Sequence, residues 1–329
     1  MSKKKAFITG INGQDGSYLS EYLLELGYDV HGIVRRNSTS ENQSTRLEHF
    51  ESNIKTYYGD LLDQGGIERI LDAIQPDEVY NIAAQSHVRI SFDIPQFTAQ
   101  TNAIGVLNML EAHRRCCPKA KFYQASSSEM FGLTVDEDNY QRETTAMNPV
   151  SPYGCAKVFG YNIVRNYRRA YGLHATNGIL FNHESPRRGS NFVTNKVAKA
   201  AARIKLGLQD ELELGNMDSY RDWGHSWDYV RAMHLMLQQE HPGDWVVSTG
   251  ETHSVRQMCD LVFGYHDLDY NDYVVQNPKF MRPEELPYLR GDSTKIRTEL
   301  GWLPKYTFKM LMEEMAEHWV NFYKARNSA

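Results

Sequence analysis

The chain has 329 residues, of which 41% are hydrophobic and 23% are charged, and its formal net charge is −5 at pH 7. This composition is typical of a soluble globular protein large enough for two domains, and the interspersed charges leave no basic surface for a nucleic acid or an anionic membrane. No apolar run reaches transmembrane length, the start MSKKKAFITG lacks a signal-peptide pattern, and the four cysteines show no CxxC or disulfide spacing. We therefore expect a cytoplasmic protein with reduced thiols, no nucleic-acid partner and no membrane partner.

Short apolar runs alternate with amphipathic stretches through roughly the first 180 residues, which predicts an α/β fold with helices on both faces of a doubly wound parallel sheet. The predicted strands are Lys5–Thr9, Asp29–Arg35, Asn53–Tyr58, Glu78–Ile82, Lys121–Ala125 and Ala175–Leu180. The predicted helices include Ser17–Leu26, Gly66–Ile74, Ala99–Arg114 and Pro152–Tyr171. Polar loops then surround a helix at Trp227–Gln239 and a strand at Trp245–Thr249, which indicates a second, smaller domain that the chain enters more than once.

A glycine loop, TGINGQDG, follows the first predicted strand and precedes the first helix. It places Gly10, Gly13 and Gly16 in GxxGxxG spacing, which differs from the GxGxxG of the standard dinucleotide fingerprint. Glycine permits the tight turn and lets the backbone approach a pyrophosphate, whose charge then meets the helix N-terminus. The loop therefore predicts a dinucleotide-binding domain at the start of the chain.

The second predicted strand ends in Arg35 and Arg36. A site that prefers NAD usually carries an acidic residue there, whereas two guanidinium groups suit the 2′-phosphate of NADP. The stretches Gly59–Leu61 and NIAAQSHV follow the third and fourth strands, where a bound dinucleotide would lie. We therefore predict NADP as the cofactor.

Tyr153 and Lys157 are spaced i and i+4 in NPVSPYGCAK, so they lie on one face of a helix for which Ser151 is a suitable N-cap. A lysine ammonium beside a positive nicotinamide ring should stabilise the tyrosine phenolate and lower its pKa toward working pH. The phenolate can then take the proton from an alcohol while hydride leaves the same carbon. The pair therefore predicts oxidation of a sugar or alcohol hydroxyl.

The segment ASSSEMFG follows the fifth predicted strand. If the extended backbone continues, Ser127 and Glu129 point to one face while Ser126 and Ser128 point to the other. Ligands bind at the carboxyl ends of such strands, so Ser127 could hydrogen-bond the reacting hydroxyl beside Tyr153. Glu129 adds a carboxylate that simple alcohol oxidation does not require.

Together the GxxGxxG loop, Ser127, Tyr153 and Lys157 resemble the extended short-chain dehydrogenase/reductase family over nearly the whole chain. Within that family, the strings SSSEMFG, LFNHESPRRG, NFVTNKV and GNMDSYRDWGH are similar to those of dehydratases that act on GDP-mannose. The resemblance implies a Rossmann-type NADP domain of residues 1–180 plus about 223–250. It also implies a mixed α/β nucleotide-sugar domain of about 181–222 plus 251–329, and a homodimer or homotetramer.

The resemblance also implies roles for individual residues. The hydroxyl residue falls on Ser127, where the family generally has threonine, the acid/base glutamate on Glu129, and the Tyr–Lys pair on Tyr153 and Lys157. Its cofactor contacts fall on Gly10, Asn12, Gly13, Gln14, Asp15, Gly16, Arg35, Arg36, Asp60, Leu61, Ala83, Ala84, Gln85, Ser86, Tyr153, Lys157, His183 and Arg188. Its substrate contacts fall on Ser86, Asn182, Lys196, Arg221, Arg282 and Glu285. The histidines lack ligand spacing, so no metal site is expected.

The implied reaction is an internal redox cycle on GDP-mannose: oxidation at C4, loss of water across C5 and C6, and return of hydride to C6. The product is GDP-4-keto-6-deoxymannose, and the reaction is the first step toward deoxysugars such as GDP-fucose or GDP-rhamnose. Reduction of that product by NADPH is a possible secondary activity. The alternatives are a 4-epimerase, a dehydratase for another sugar nucleotide, and a non-catalytic NADP-sensing protein.

Overall fold

Seven strands form one parallel sheet, which is the central layer of the fold. The computed structural model describes residues 3–36 and 46–327. The strands are β1 (Lys5–Thr9), β2 (Asp29–Val34), β3 (Ile54–Tyr58), β4 (Glu78–Asn81), β5 (Lys121–Ser127), β6 (Ala175–Leu180), β7 (Asn182–Glu184), β8 (Leu212–Leu214), β9 (Tyr220–Arg221), β10 (Trp223–His225), β11 (Asp244–Val247), β12 (His253–Ser254) and β13 (Val274–Gln276). The order in the main sheet is β11-β6-β5-β4-β1-β2-β3. This order confirms the Rossmann-type doubly wound fold, with a crevice outside the carboxyl ends of β1 and β4, where the order reverses.

Helices cover both faces of the sheet and also build a second layer of structure beyond residue 190. They are α1 (Gln14–Glu25), α2 (Gln64–Ile74), α3 (Val88–Asp93), α4 (Pro95–Ala99), α5 (Gly105–Cys116), α6 (Pro152–Tyr171), α7 (Val193–Lys205), α8 (Ser226–Gln238), α9 (Val255–Gly264), α10 (Thr294–Leu300) and α11 (Phe308–Asn327). Helix α6 has the predicted bounds because Ser151 Oγ accepts a hydrogen bond from Gly154 N at 3.0 Å and Gly172 ends the helix at φ +65°.

The predicted helix at 99–114 is divided in the structure. Helix α4 ends at Ala99, a π-helical turn covers Gln100–Ile104, and α5 begins at Gly105. A Cβ on Gly105 would lie 2.9 Å from the Leu61 Cβ, so the helix packs closely against the loop after β3. π-Helical turns often occur at functional sites, and Thr101 of this turn lines the cleft described below.

Separate hydrophobic clusters fill the space around the sheet and beyond it. Helices α1 and α8 bury residues such as Leu19 and Met233 on one face, and α2, α5 and α6 cover the other. A further cluster joins α7, α9 and α11 around residues such as Phe263 and Met315. A small cluster packs Met130 and other residues that follow β5 against the segment at 286–289. This last cluster fixes the end of β5 against the C-terminal part of the chain.

Across the described ranges, no helix is both long and apolar enough to cross a membrane. The same ranges contain no group of three or more His, Cys, Asp or Glu side chains arranged to hold a metal ion. Cys116, Cys117, Cys155 and Cys259 form no disulfide within these ranges.

Candidate active site

The glycine loop after β1 leaves the start of α1 open to a ligand. Gly10 has a φ of +68°, in the left-handed region, and a Cβ there would lie 3.0 Å from Ala83 Cα. A Cβ on Gly16 would lie 2.3 Å from the Gly10 carbonyl oxygen, so no larger residue fits. Gly13 is the N-cap of α1 and has no side chain that could occupy the helix N-terminus. This cradle fits the pyrophosphate of a dinucleotide.

A cleft of about 460 Å³ opens at this loop. Most of the residues predicted to contact a cofactor line it: Gly10, Asn12, Gly13, Gln14, Asp15, Gly16, Arg35, Asp60, Leu61, Ala83, Ala84, Gln85, Ser86 and Arg188. Arg36, Tyr153, Lys157 and His183 are not part of this lining. The structure therefore brings the loops after β1, β2, β3 and β4 together around one elongated space.

The cleft also contains residues that the sequence analysis missed: Ile33, Arg46, Ile82, Phe97, Thr101, Gly189 and Phe192. Phe97 lies in α4, and the guanidinium carbon of Arg35 is 5.8 Å from the centroid of its ring. Ile82, Gly189 and Phe192 lie inside strings quoted above but had no role assigned to them, and the other four residues lie outside those strings. No local spacing distinguishes them, and only the folded chain shows that they line the cleft.

His183 reaches the cleft indirectly, through Asp15. His183 Nε2 and Asp15 Oδ2 are 2.8 Å apart, and His183 Nδ1 lies 2.8 Å from the Phe181 carbonyl oxygen. Burial disfavours the charged form of both side chains. Their mutual attraction nevertheless raises the pKa of His183. The same attraction, together with the charge of Arg188, lowers the pKa of Asp15. The pair therefore fixes the first turn of α1 against β7.

Tyr153 and Lys157 are both buried on one face of α6. Lys157 Nζ donates to the Ala125 carbonyl oxygen at 2.9 Å and lies 5.6 Å from the centroid of the Tyr153 ring. Burial lowers the pKa of Lys157 to about 8. Burial also raises the pKa of Tyr153 to about 12, although a hydrogen bond with Ser127 acts in the opposite direction. The predicted lowering of the Tyr153 pKa is thus opposed by burial, and a further positive charge is needed to bring the phenol toward neutral pH.

Glu129 reaches the same site by a turn rather than by strand alternation. Strand β5 continues two residues beyond the prediction, to Ser127, and Ser128–Met130 form a 3₁₀ turn. The prediction that Ser127 and Glu129 share a strand face is therefore wrong. Instead, Glu129 N donates to Ser127 Oγ at 3.3 Å, and the Glu129 charge acts to raise the pKa of Tyr153. The strand end and the turn bring a hydroxyl, a carboxylate and a phenol together.

Four charged side chains form a cluster at this turn, which we call the arginine–glutamate cluster: Glu129, Arg221, Arg282 and Glu285. Arg221 is buried, and its Nη2 lies 2.8 Å from Glu285 Oε1. Arg282 Nη1 lies 3.4 Å from Oε1 of both Glu129 and Glu285. Burial lowers the pKa of Arg221, while the charge of Glu129 acts to raise it. The cluster joins β5 and its turn to β9 and to the segment at 282–285.

The other predicted substrate residues have described contacts outside this cluster. Lys196 of α7 donates from Nζ to the Glu213 carbonyl oxygen at 2.6 Å and lies 3.9 Å from the centroid of the Phe280 ring. Asn182 is on β7, opposite Trp223 of β10. Ser86 is in the cleft lining. Among the described ion pairs and hydrogen bonds, Arg282 is the predicted substrate residue that contacts Glu129 directly, and Glu285 links Arg221 to Arg282.

Similarity to known proteins extends over nearly the whole chain. The family model GDP-mannose 4,6 dehydratase matches residues 7–315. The chain is 51% identical to GDP-mannose 4,6 dehydratase 1 of Arabidopsis thaliana, covering 96% of this chain and 89% of that protein. It is 45% identical to human GDP-mannose 4,6 dehydratase, covering 98% and 93% of the two chains.

Solved structures agree with the architecture described above. The UDP-glucose 4-epimerase of Thermus thermophilus, in complex with NAD, superposes with a TM-score of 0.84 at 26% identity, covering 96% of this chain and 98% of the epimerase. The shared fold, the match to the family model and the high identity to its named members agree. The chain therefore belongs to the GDP-mannose 4,6 dehydratase family.

Proposed function

We propose that this chain is an NADP-dependent hydro-lyase that converts GDP-mannose to GDP-4-keto-6-deoxymannose. The observation that carries the proposal is the Glu129 carboxylate, which is buried on the turn directly after Ser127 and close enough to act on the pKa of Tyr153. An oxidation site alone does not require this carboxylate, whereas an elimination does. The names of the relatives point to the same reaction.

The cleft fits a nicotinamide dinucleotide, with the glycine cradle at its pyrophosphate and Arg35 and Arg36 at the end of β2 for a 2′-phosphate. When bound, the nicotinamide would accept hydride from C4 of the sugar and later return it to C6. The chain itself supplies the groups that orient the sugar and move its protons. His183 and Asp15 hold the start of α1 in place for this purpose.

Tyr153 is the proposed base for oxidation at C4. The Ser127 hydroxyl acts to lower the pKa of Tyr153 against the effect of burial, and it can also donate to the C4 oxygen. Lys157 lies on the same side of α6, held by the Ala125 carbonyl, and its ammonium stabilises the phenolate. Burial by itself opposes that phenolate, so ionisation of Tyr153 depends on positive charge brought into the site.

Glu129 is the proposed acid and base for the elimination. A ketone at C4 acidifies the hydrogen on C5, which the carboxylate removes. The resulting carboxylic acid then gives its proton to the C6 hydroxyl as that group leaves as water. C5 takes up a new proton when hydride is returned to C6, which completes the 4-keto-6-deoxy product. Arg282 Nη1 lies 3.4 Å from Glu129 Oε1 and favours the ionised carboxylate that takes the C5 proton.

The substrate's diphosphate requires cationic donors, and the arginine–glutamate cluster supplies two buried or partly buried guanidinium groups. We assign the nucleotide sugar to the space around Ser86, Asn182, Lys196, Arg221, Arg282 and Glu285. In this assignment the chain divides as the sequence predicts, with residues 1–180 and about 223–250 for the cofactor and the remainder for the nucleotide sugar. The predicted oligomeric state, a homodimer or homotetramer, and the predicted cytoplasmic location remain predictions.

One assay tests the proposal against its enzymatic alternatives. The protein is incubated separately with GDP-mannose, UDP-glucose and dTDP-glucose, and the products are identified by mass spectrometry and NMR. We expect a 4-keto-6-deoxy sugar from GDP-mannose alone. An epimerised hexose, or a 4-keto-6-deoxy product from another nucleotide sugar only, would contradict it. An absence of any product would favour the NADP-sensing alternative. Addition of excess NADPH to the product checks the secondary reduction.

A further inference from the structure

Arg46 is a residue of the cofactor cleft that no motif assigns. It is partly buried and lines the cleft together with Arg35 and Arg188. Its Nε donates to the Arg187 carbonyl oxygen at 2.7 Å, and its Nη1 donates to the Asn12 carbonyl oxygen at 3.3 Å. These two bonds hold the guanidinium against the glycine loop.

The charge of Arg46 is not neutralised in the way that its neighbours' charges are. Arg187 pairs with both oxygens of Glu21 at 2.8 and 2.9 Å, and Arg188 Nε lies 2.9 Å from Glu184 Oε2. Within residues 3–36 and 46–327, no carboxylate forms an ion pair with Arg46. Burial lowers the pKa of Arg46, and the charges of Arg187 and Arg188 lower it further. An anion in the cleft would relieve this accumulation of positive charge.

The position of Arg46 indicates which phosphate it would meet. The pyrophosphate belongs at the start of α1, where N–H groups and the helix dipole attract it. Arg46 Nη1 donates to the Asn12 carbonyl oxygen, so its guanidinium lies beside the glycine loop and within the cleft lining that also contains Arg35. Arg35, at the end of β2, lines the same cleft, next to the strand end where an adenosine ribose lies in this fold.

We propose that Arg46 binds the 2′-phosphate of NADP together with Arg35 and so sets the preference for NADP over NAD. The inference rests on the NADP preference proposed above. A guanidinium presents two parallel donors to a phosphate, and one that is already desolvated and held by backbone carbonyls loses little freedom on binding. Arg46 is thus a specificity-determining residue for the cofactor.

Direct binding of the two cofactors tests this role. The protein without added sugar nucleotide is titrated with NADPH and, separately, with NADH, and the ratio of the NADH Kd to the NADPH Kd is compared among variants. We expect Arg46→Met to lower this ratio by about 10- to 100-fold, the effect of losing a charge-assisted hydrogen bond, mainly through weaker NADPH binding. The ratio for Arg46→Lys should lie between those of the wild type and Arg46→Met, because lysine retains the charge without the paired donors.

Arg203→Met is the matched control, since Arg203 is exposed on α7, does not line the cleft and should leave the ratio unchanged. Thermal unfolding midpoints establish that each variant is folded. If Arg46 only supports the loop, Arg46→Met weakens NADPH and NADH equally, and an unchanged ratio overturns the inference. A wild-type ratio near one would instead overturn the proposed NADP preference, and the role of Arg46 with it. The wild-type and variant ratios therefore separate the two failures.

Discussion

The cofactor cleft and the arginine–glutamate cluster lie at the same end of the sheet but are built in opposite ways. At the glycine loop the cleft is formed by backbone, because Gly10 and Gly16 leave space that any side chain would fill. The cluster is formed by charged side chains, and its members Glu129 and Arg282 are 153 residues apart in sequence. The glycine loop of the first region is determined by local spacing, whereas the second region depends on ion pairs between distant parts of the chain, which a bound substrate could replace with its own contacts.

This difference makes the two regions separable by experiment. A change in the cleft should affect cofactor affinity, and a change in the cluster should affect the nucleotide sugar. Tyr153, Lys157 and Ser127 lie between the two and should affect the chemical step.

Tyr153→Phe removes the proposed base and leaves both binding regions intact. We expect the rate of C4 oxidation to fall by about 10³-fold, the contribution typical of a positioned general base. The measurement is single-turnover formation of reduced cofactor after GDP-mannose is added, with cofactor and substrate affinities determined in parallel. Retention of the parent rate would show that another group takes the proton.

Gly16→Ala tests the backbone cradle. The new methyl group would lie 2.3 Å from the Gly10 carbonyl oxygen, so the loop must shift. We expect NADPH affinity to fall by about 100-fold, because the backbone that receives the pyrophosphate is displaced. Gly264→Ala is the control, since an added Cβ there meets no atom within 4 Å. Equal NADPH affinities for the two variants would contradict the cradle.

Arg221→Met tests the substrate side. Loss of the guanidinium removes a donor to the diphosphate and leaves Glu285 without its 2.8 Å partner. We expect the KM for GDP-mannose to rise by about 10-fold or more, as for a lost charge-assisted hydrogen bond, with NADPH affinity unchanged. Arg221→Lys should recover part of the loss. A matching decrease in NADPH affinity would show that the two regions are not separable.

Ser127→Thr should have the smallest effect. The hydroxyl that contacts Tyr153 is kept and a methyl group is added at a buried strand end. We expect kcat to change by less than about threefold because the hydroxyl donor is retained, while the added methyl group acts on stability rather than on the chemical step. Ser127→Ala, which removes the hydroxyl, serves as the comparison in the same kcat assay. Equal rates for the alanine and threonine variants would remove the proposed role of the hydroxyl.

Local signals predicted most of the sheet and the cofactor loop. Helix α6 has its predicted bounds because Ser151, Pro152 and Gly172 act within a few residues of each end. The end of β5 was misjudged because three serines do not show where a strand becomes a turn. Arg46 was missed because its position depends on contacts with Asn12 and Arg187, both distant in sequence.

The family resemblance predicted a role for each residue of the arginine–glutamate cluster, but it did not predict the contacts among them. Spacing does not reveal that Arg282 lies 3.4 Å from both Glu129 and Glu285. Long-range ion pairs of this kind are determined by how the C-terminal segment packs on the turn after β5. The small cluster of Met130 with the segment at 286–289 provides that packing.

The central claim is that Glu129 converts an oxidation into a dehydration, and Glu129→Gln tests it most directly. The variant keeps the shape of the side chain and a hydrogen-bonding partner for Arg282, but it cannot take the C5 proton. The measurement is a rapid-quench time course with GDP-mannose that follows the GDP-4-keto sugar and the 4-keto-6-deoxy product separately. We predict that the 4-keto sugar still forms on the enzyme while the deoxy product falls by about 10²-fold or more. Formation of the 4-keto-6-deoxy product at the parent rate would contradict the account.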